Sequence, residues 1–295
     1  NRPTAMSPAQ SAARQPLLLN HEIVYLPSVS VLAEMRKNST TRQIAPKTLA
    51  IFADPIFNKD DKRILAPTSP TATQLQRPQE NSVIRTEAQR SSSDAAYTND
   101  ERRLSPLPGT KDEAGKIGSL VPRDSVLVKM GAEANVESVK SADLSQYRLI
   151  HFATHGVLDN EHPELSGLIF SRFDSVGRRR EGTLRMQEIY NLKLAADVVV
   201  LSSCEGGIGK EVRGEGLIAL TRGFFYAGSP RVVASLWKAD DDATPILMQE
   251  FYQKLINENC TPAKALRAAQ LAVRERQLWQ SPYYWAAFVL QGEYK

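Results

Sequence analysis

Two stretches constrain this chain more than any others: Val198-Val199-Val200-Leu201-Ser202-Ser203 and Arg231-Val232-Val233-Ala234-Ser235-Leu236-Trp237. Both are continuously apolar and rich in β-branched side chains. A strand solvated on one face alternates apolar with polar residues, whereas a strand covered on both faces does not. Helices must therefore cover this sheet from both sides. Tyr147-Arg148-Leu149-Ile150-His151-Phe152-Ala153 and Leu49-Ala50-Ile51-Phe52-Ala53 add two more strands, the second ending in the turn signal Asp54-Pro55. Weaker strand signals cover residues 23–27, 125–128, 167–170 and 286–290.

Helical segments separate these strands. A short helix over 30–36 is expected to open on a cap at Ser30, and another runs from a Thr110 cap to Leu120. A third covers 133–139. Over 216–225, Leu217, Leu220, Phe224 and Phe225 share one face, and Gly228 marks the stop. Thr244-Pro245 and Thr261-Pro262 each read as a threonine cap followed by proline in a first helical turn. The pattern predicts an α/β fold: a three-layer α/β/α sandwich around a mostly parallel central sheet.

Residues 65–106 break the pattern. They are rich in Pro, Ser, Thr, Gln and Asn and nearly devoid of large apolar side chains, so they read as a long flexible loop. The expected organisation is an N-terminal lobe over 1–64, ordered but chemically quiet, this loop, and a catalytic subdomain over 107–295. The chain begins at Asn1 rather than Met and reads as a piece of something longer.

Several function classes are disfavoured. No apolar run reaches the ~20 residues of a membrane helix, and mean hydropathy is −0.34, so no membrane role is expected. A net charge of +4, scattered along the chain, does not call for nucleic acid. Two cysteines, Cys204 and Cys260, make no disulfide framework, and a cytoplasmic location fits. Neither they nor His21, His151, His155 and His162 show metal-ligand spacing. Gly206-Gly207-Ile208-Gly209-Lys210 is not a phosphate loop, because Cys204 and Glu211 stand where Gly and Ser or Thr are required. No cofactor is expected.

The chemistry gathers at two strand ends, His151-Phe152-Ala153-Thr154-His155-Gly156 and Leu201-Ser202-Ser203-Cys204-Glu205-Gly206-Gly207. Reactive groups in open α/β sheets collect at such carboxyl ends. His155 and Cys204 lie 49 residues apart, close to the separation of about 50 between the histidine and cysteine of caspases, and Cys204-Glu205-Gly206 keeps their C-x-G. A thiol with a pKa of about 8.5 is only about 3% ionised at neutral pH, so an imidazole must share its proton. Gly156 is expected to allow a sharp turn that aims its N–H, with that of Cys204, at a substrate carbonyl as an oxyanion hole. His151, on the strand itself, is expected to pack inside.

Phe152-Ala153-Thr154-His155-Gly156, Val199-Val200-Leu201-Ser202-Ser203-Cys204-Glu205, Ala234-Ser235-Leu236-Trp237 and Tyr283-Tyr284-Trp285-Ala286-Ala287-Phe288 together closely resemble the CHAT domain. The likeness extends to Tyr25-Leu26-Pro27-Ser28 and Ala53-Asp54-Pro55. Ser203 stands where Ala is commoner, and Gly207 where Thr is frequent. This resemblance implies a caspase-like and separase-like cysteine peptidase of the kind commonly found at the carboxyl end of bacterial TPR proteins. It implies His155 as general base and Cys204 as nucleophile, with no side-chain third member. Separases cut after Arg and carry an acid in a W-x-x-x-D stretch, which places Asp241, with Asp240 beside it, as the pocket for a basic P1 residue; both could equally cap the helix that follows. Under a basic P1 preference, Arg102-Arg103 and Arg178-Arg179-Arg180 are candidate self-cleavage points. A protein substrate and an attached or separate TPR-type regulatory domain are the expected partners. The alternative is a catalytically quiet scaffold or protein-interaction module of the same fold.

Overall fold

The computed structural model describes residues 15–39, 44–65, 103–157, 165–202 and 215–294. Most of the proposed flexible loop, His162, and the segment with Cys204 and its following glycines lie outside the described residues.

The strands are β1 (Val24–Tyr25), β2 (Lys47–Ala53), β3 (Val126–Met130), β4 (Tyr147–Ala153), β5 (Gly156–Val157), β6 (Gly167–Ile169), β7 (Thr183–Arg185), β8 (Val198–Ser202), β9 (Arg231–Ser235) and β10 (Phe288–Gly292). Among the described residues, seven form one sheet in the order β1-β10-β9-β8-β4-β2-β3. Every joint is parallel except β10 with β9. The stretch expected at 167–170 does not join that sheet; β6 pairs antiparallel with β5 and β7 in a separate three-stranded sheet. Short strands with hairpin-like neighbours need no crossover helix, and this small sheet lies beyond the end of β4.

The helices are α1 (Val29–Ser39), α2 (Pro108–Gly118), α3 (Val136–Ser141), α4 (Met186–Tyr190), α5 (Glu215–Tyr226), α6 (Thr244–Ile256), α7 (Pro262–Arg274) and α8 (Pro282–Trp285). Successive side chains of each central strand enter opposite layers. Leu49, Ile51, Leu149, Val198, Val200 and Val233 face α2, α6 and α7, where Ile117, Leu247, Phe251 and Leu266 meet them. Ala50, Phe52, Ile150, Phe152, Val199 and Leu201 face α3, α4 and α5, against Val139, Ile189 and Phe224. Phe152 packs on Phe52 at 5.5 Å and on Phe224 at 5.7 Å between ring centroids. Burying a side chain of this size contributes about 1.5–3 kcal/mol, so two fully covered faces account for the unbroken apolar runs.

Local capping departs from expectation in four places, one of them Thr244, which is the first residue of α6 behind an Ala243 cap position and so does not cap it. Ser28, not Ser30, opens α1, its Oγ accepting from the Val31 N–H at 3.1 Å. Pro108 begins α2, and Thr110 sits inside the first turn, where its hydroxyl donates to the Leu107 carbonyl at 2.7 Å. Helix α3 starts at Val136 on an Asn135 cap rather than at 133. Thr261 does cap α7, accepting from the Lys264 N–H at 3.3 Å. Gly228 closes α5 at φ +115°, where a Cβ would lie 2.5 Å from the Leu194 carbonyl oxygen.

Candidate active site

The register of β4 and β8 fixes where the two expected reactive residues leave the sheet. Ala153 pairs with Ser202, and the Thr154 N–H donates to the Ser202 carbonyl at 3.2 Å. His155 is the next residue after Thr154; Cys204 is two residues after Ser202 in the chain and lies outside the described residues. Neighbouring parallel strands thus deliver both chain segments from one hydrogen-bonded pair at the carboxyl edge.

His155 is buried, 2% exposed, and three elements hold it. Its carbonyl accepts from the Ile169 N–H at 2.8 Å, tying it to β6. The Phe57 ring packs on the imidazole, centroids 4.9 Å apart. Its Nε2 lies 2.8 Å from the Ser105 carbonyl oxygen. A carbonyl only accepts, so Nε2 carries the proton and Nδ1 is the basic nitrogen of the neutral ring. Sequence reasoning found no side-chain third member; the partner is a main-chain oxygen, which has no residue-type signature.

The segment that supplies this oxygen corrects the expected loop at its carboxyl end. Leu104 and Leu107 are buried, packing with Phe57, Val157 and Ile169. Asn58 pairs with Leu104 at two points, its Nδ2 donating to the Leu104 carbonyl at 2.7 Å and its Oδ1 accepting from the Leu104 N–H at 3.2 Å. Phe57 and Asn58 follow β2, so the first segment packs against His155 and the residues beside it. The L-S-P-L spacing over 104–107, apolar at both ends, was the available signal.

Gly156 is buried and opens β5 opposite Leu168. It is not among the left-handed glycines, so its φ does not itself require glycine, and as the first residue of β5 it lies beside His155 where the chain passes into the second sheet. Asp240 and Asp241 follow β9, the strand next to β8. The Asp240 Oδ1 accepts from the Asp242 and Ala243 N–H groups at 3.1 and 3.0 Å, a cap on the turn entering α6. Asp241 is exposed, and its backbone abuts Gly109, where a Cβ would sit 2.6 Å from the Asp241 carbonyl oxygen. That close approach seats the acidic turn against the start of α2, four residues beyond Ser105. The triple arginine lies elsewhere, with Arg178 and Arg180 paired to Asp174 at 2.8 and 3.6 Å; Arg102 lies outside the described residues, and Arg103 pairs with Asp60 at 2.6 Å.

His151 points into the layer on the α2 and α6 side and is fully buried. Its Nδ1 lies 3.1 Å from the Tyr252 hydroxyl, and its Nε2 3.2 Å from Glu113 Oε1 in a close approach outside hydrogen-bond geometry. Burial, with the Glu113 charge, holds the Tyr252 phenol well above its usual range, so it stays protonated. No group of three or more potential metal ligands occurs among the described residues.

A two-faced, mostly parallel sheet with a buried, tautomer-fixed histidine at its carboxyl edge defines an α/β/α protein of the class that places reactive groups on strand tips. The CHAT domain family profile matches residues 2–293, and the chain belongs to that family. Tetratricopeptide repeat protein 28 of Mus musculus is 28% identical over 219 residues, covering 63% of this chain and 9% of the relative. The Homo sapiens protein of the same name is 29% identical over 219 residues, 63% of this chain and 8% of its own. This chain thus spans under a tenth of the relatives it matches. Among solved structures, the separase in a Saccharomyces cerevisiae separase-securin complex aligns with a TM-score of 0.47 at 15% identity, covering 92% of this chain and 14% of that one. The Arg specific cysteine proteinase gingipain R aligns with a TM-score of 0.47 at 10% identity, covering 86% and 49%.

Proposed function

We propose that the chain is a caspase-like cysteine endopeptidase using a His155–Cys204 dyad. One observation carries this reading: the Thr154–Ser202 hydrogen bond joins the ends of the two strands that lead toward His155 and Cys204; the Ser105 carbonyl at Nε2 supports it by making Nδ1 the basic nitrogen of the neutral ring. The Cys204 thiol gives its proton to Nδ1, and the thiolate attacks the scissile carbonyl carbon. The N–H groups of Gly156 and Cys204 receive the oxyanion, an interaction typically worth about 3–4 kcal/mol of barrier per donor. Collapse breaks the C–N bond as the imidazolium protonates the leaving amine; water, deprotonated by His155, then hydrolyses the thioester.

Asp241, with Asp240 beside it, is proposed to receive an Arg side chain at P1 through charge-assisted hydrogen bonds. Membership of the CHAT family and the TPR-protein relatives support control by an attached or separate TPR-type domain, and a cytoplasmic setting is the reading that fits a chain with only two cysteines.

The test is alkylation of the intact chain by iodoacetamide across pH 5–9, read by peptide mass spectrometry, with turnover of fluorogenic Arg peptides alongside. Cys204 should label at pH values well below the ~8.5 of an ordinary thiol, His155→Ala should slow that labelling, and Cys204→Ala should end turnover. Asp241→Ala should lose Arg turnover while labelling persists. Labelling of Cys204 no faster than Cys260, with no peptide cut, would replace the peptidase by the scaffold reading.

A further inference from the structure

We infer that Asn58 is a positioning residue for the His155 imidazole, acting through the main chain of Leu104 and Ser105. The inference rests on the peptidase reading for its consequence in catalysis, though not for its geometry. The Ser105 carbonyl can set the tautomer of His155 only if residues 104–106 keep their place, and no strand pairing among the described residues holds them there. Asn58 substitutes for a strand partner. Its carboxamide presents one donor and one acceptor side by side, the same pair a neighbouring backbone would offer, and engages the Leu104 carbonyl at 2.7 Å and N–H at 3.2 Å.

Asn58 is itself held on both sides. Two residues before it, the Ile56 N–H donates to Ser171 Oγ at 2.8 Å and the Ile56 carbonyl accepts from the Arg172 N–H at 2.9 Å. After it, the Asn58 carbonyl accepts from the Asp61 N–H at 3.2 Å, and the Arg63 guanidinium donates to the Asp54 carbonyl at 2.9 Å and to Asp61 Oδ2 at 2.6 Å. The same turn therefore delivers Phe57 to one side of the imidazole and, through Asn58, the Ser105 oxygen to Nε2. Of the other side-chain ties on the strap, Arg103 with Asp60 is exposed at both ends and screened by solvent, and the Thr110 hydroxyl holds only its far end, at the Leu107 carbonyl. Leu104 and Leu107 give the strap apolar anchors, which fix its depth; the carboxamide fixes its register along the chain.

The experiment is nitrogen-detected NMR of the histidine side chains in the intact chain carrying Cys204→Ala, which needs no activity. The parent should show His155 as the Nε2–H tautomer, and Asn58→Ala should move it toward a mixture with Nδ1–H. Asn58→Asp, which keeps the acceptor for the Leu104 N–H and loses the donor, should lie between. Tyr252→Phe, on the opposite face of the sheet, is the control: it lowers stability without changing the His155 tautomer. With Cys204 restored, Asn58→Ala should lower kcat on the Arg peptides about 10- to 100-fold at little-changed KM, with partial recovery in Asn58→Asp. A tautomer unchanged in Asn58→Ala overturns the inference. A shifted tautomer in a chain that cuts no peptide supports the positioning role and removes the peptidase reading instead.

Discussion

At the scale of single residues, the two histidines of the β4 strand show how position on a strand decides chemistry. His151 points into a fully buried layer, where its Nδ1 meets the Tyr252 hydroxyl at 3.1 Å; His155, four residues on, has left the strand and meets a main-chain oxygen. Tyr252→Phe keeps the ring contact with Phe251 but strands the His151 nitrogen in a fully buried site. An unsatisfied buried polar group costs about 1–3 kcal/mol. Thermal denaturation should record a fall of about 2–4 °C for each kcal/mol lost; an unchanged midpoint would mean that the hydroxyl contributes nothing.

At the scale of elements, the start of α2 joins the end of β2 to the strap before it. The Thr110 hydroxyl accepts from the Asp54 N–H at 3.1 Å while donating to the Leu107 carbonyl, and it is buried. Asp54 is the turn residue with φ +52°, so one side chain secures a left-handed turn, a helix start and the last residue of the strap. Thr110→Val preserves shape and removes both bonds. Urea unfolding should show a loss of about 1–3 kcal/mol, and Thr110→Ser should recover most of it. Equal stability of the valine variant would assign the junction to packing alone.

At the scale of the whole molecule, the order of strands ties the ends of the sequence together. β2, from the first segment, lies between β3 and β4, and β1 pairs with β10 near the carboxyl terminus. Arg36 reaches Glu293 at 2.6 Å, and Arg267 donates to the Leu18 and Leu19 carbonyls. A fragment of residues 107–295 would lack an internal strand and expose the unpaired edges of β3 and β4, a template for aggregation. That fragment should give no cooperative urea transition by circular dichroism, and adding residues 1–64 in trans should restore one. A cooperative transition of the fragment alone would show that the later strands can close the sheet without β2.

How much of this was legible beforehand follows from what each feature depends on. The unbroken apolar runs at 198–202 and 231–235 demanded cover on both faces, and the strands that end at Ala153 and Ser202, just ahead of His155 and Cys204 in the chain, could be read from residue type and spacing. Capping at Ser28, rather than Ser30, turned on a choice between identical side chains two positions apart. The separate sheet of β5, β6 and β7 was hidden because a short apolar strand looks alike in either sheet. Asn58, Phe57 and the Ser105 carbonyl could not be read at all as the histidine's supports. Side-chain chemistry and periodicity are local properties and are written along the chain; which carbonyl meets which imidazole depends on residues about fifty positions apart being brought to one edge, and only the packed layers accomplish that.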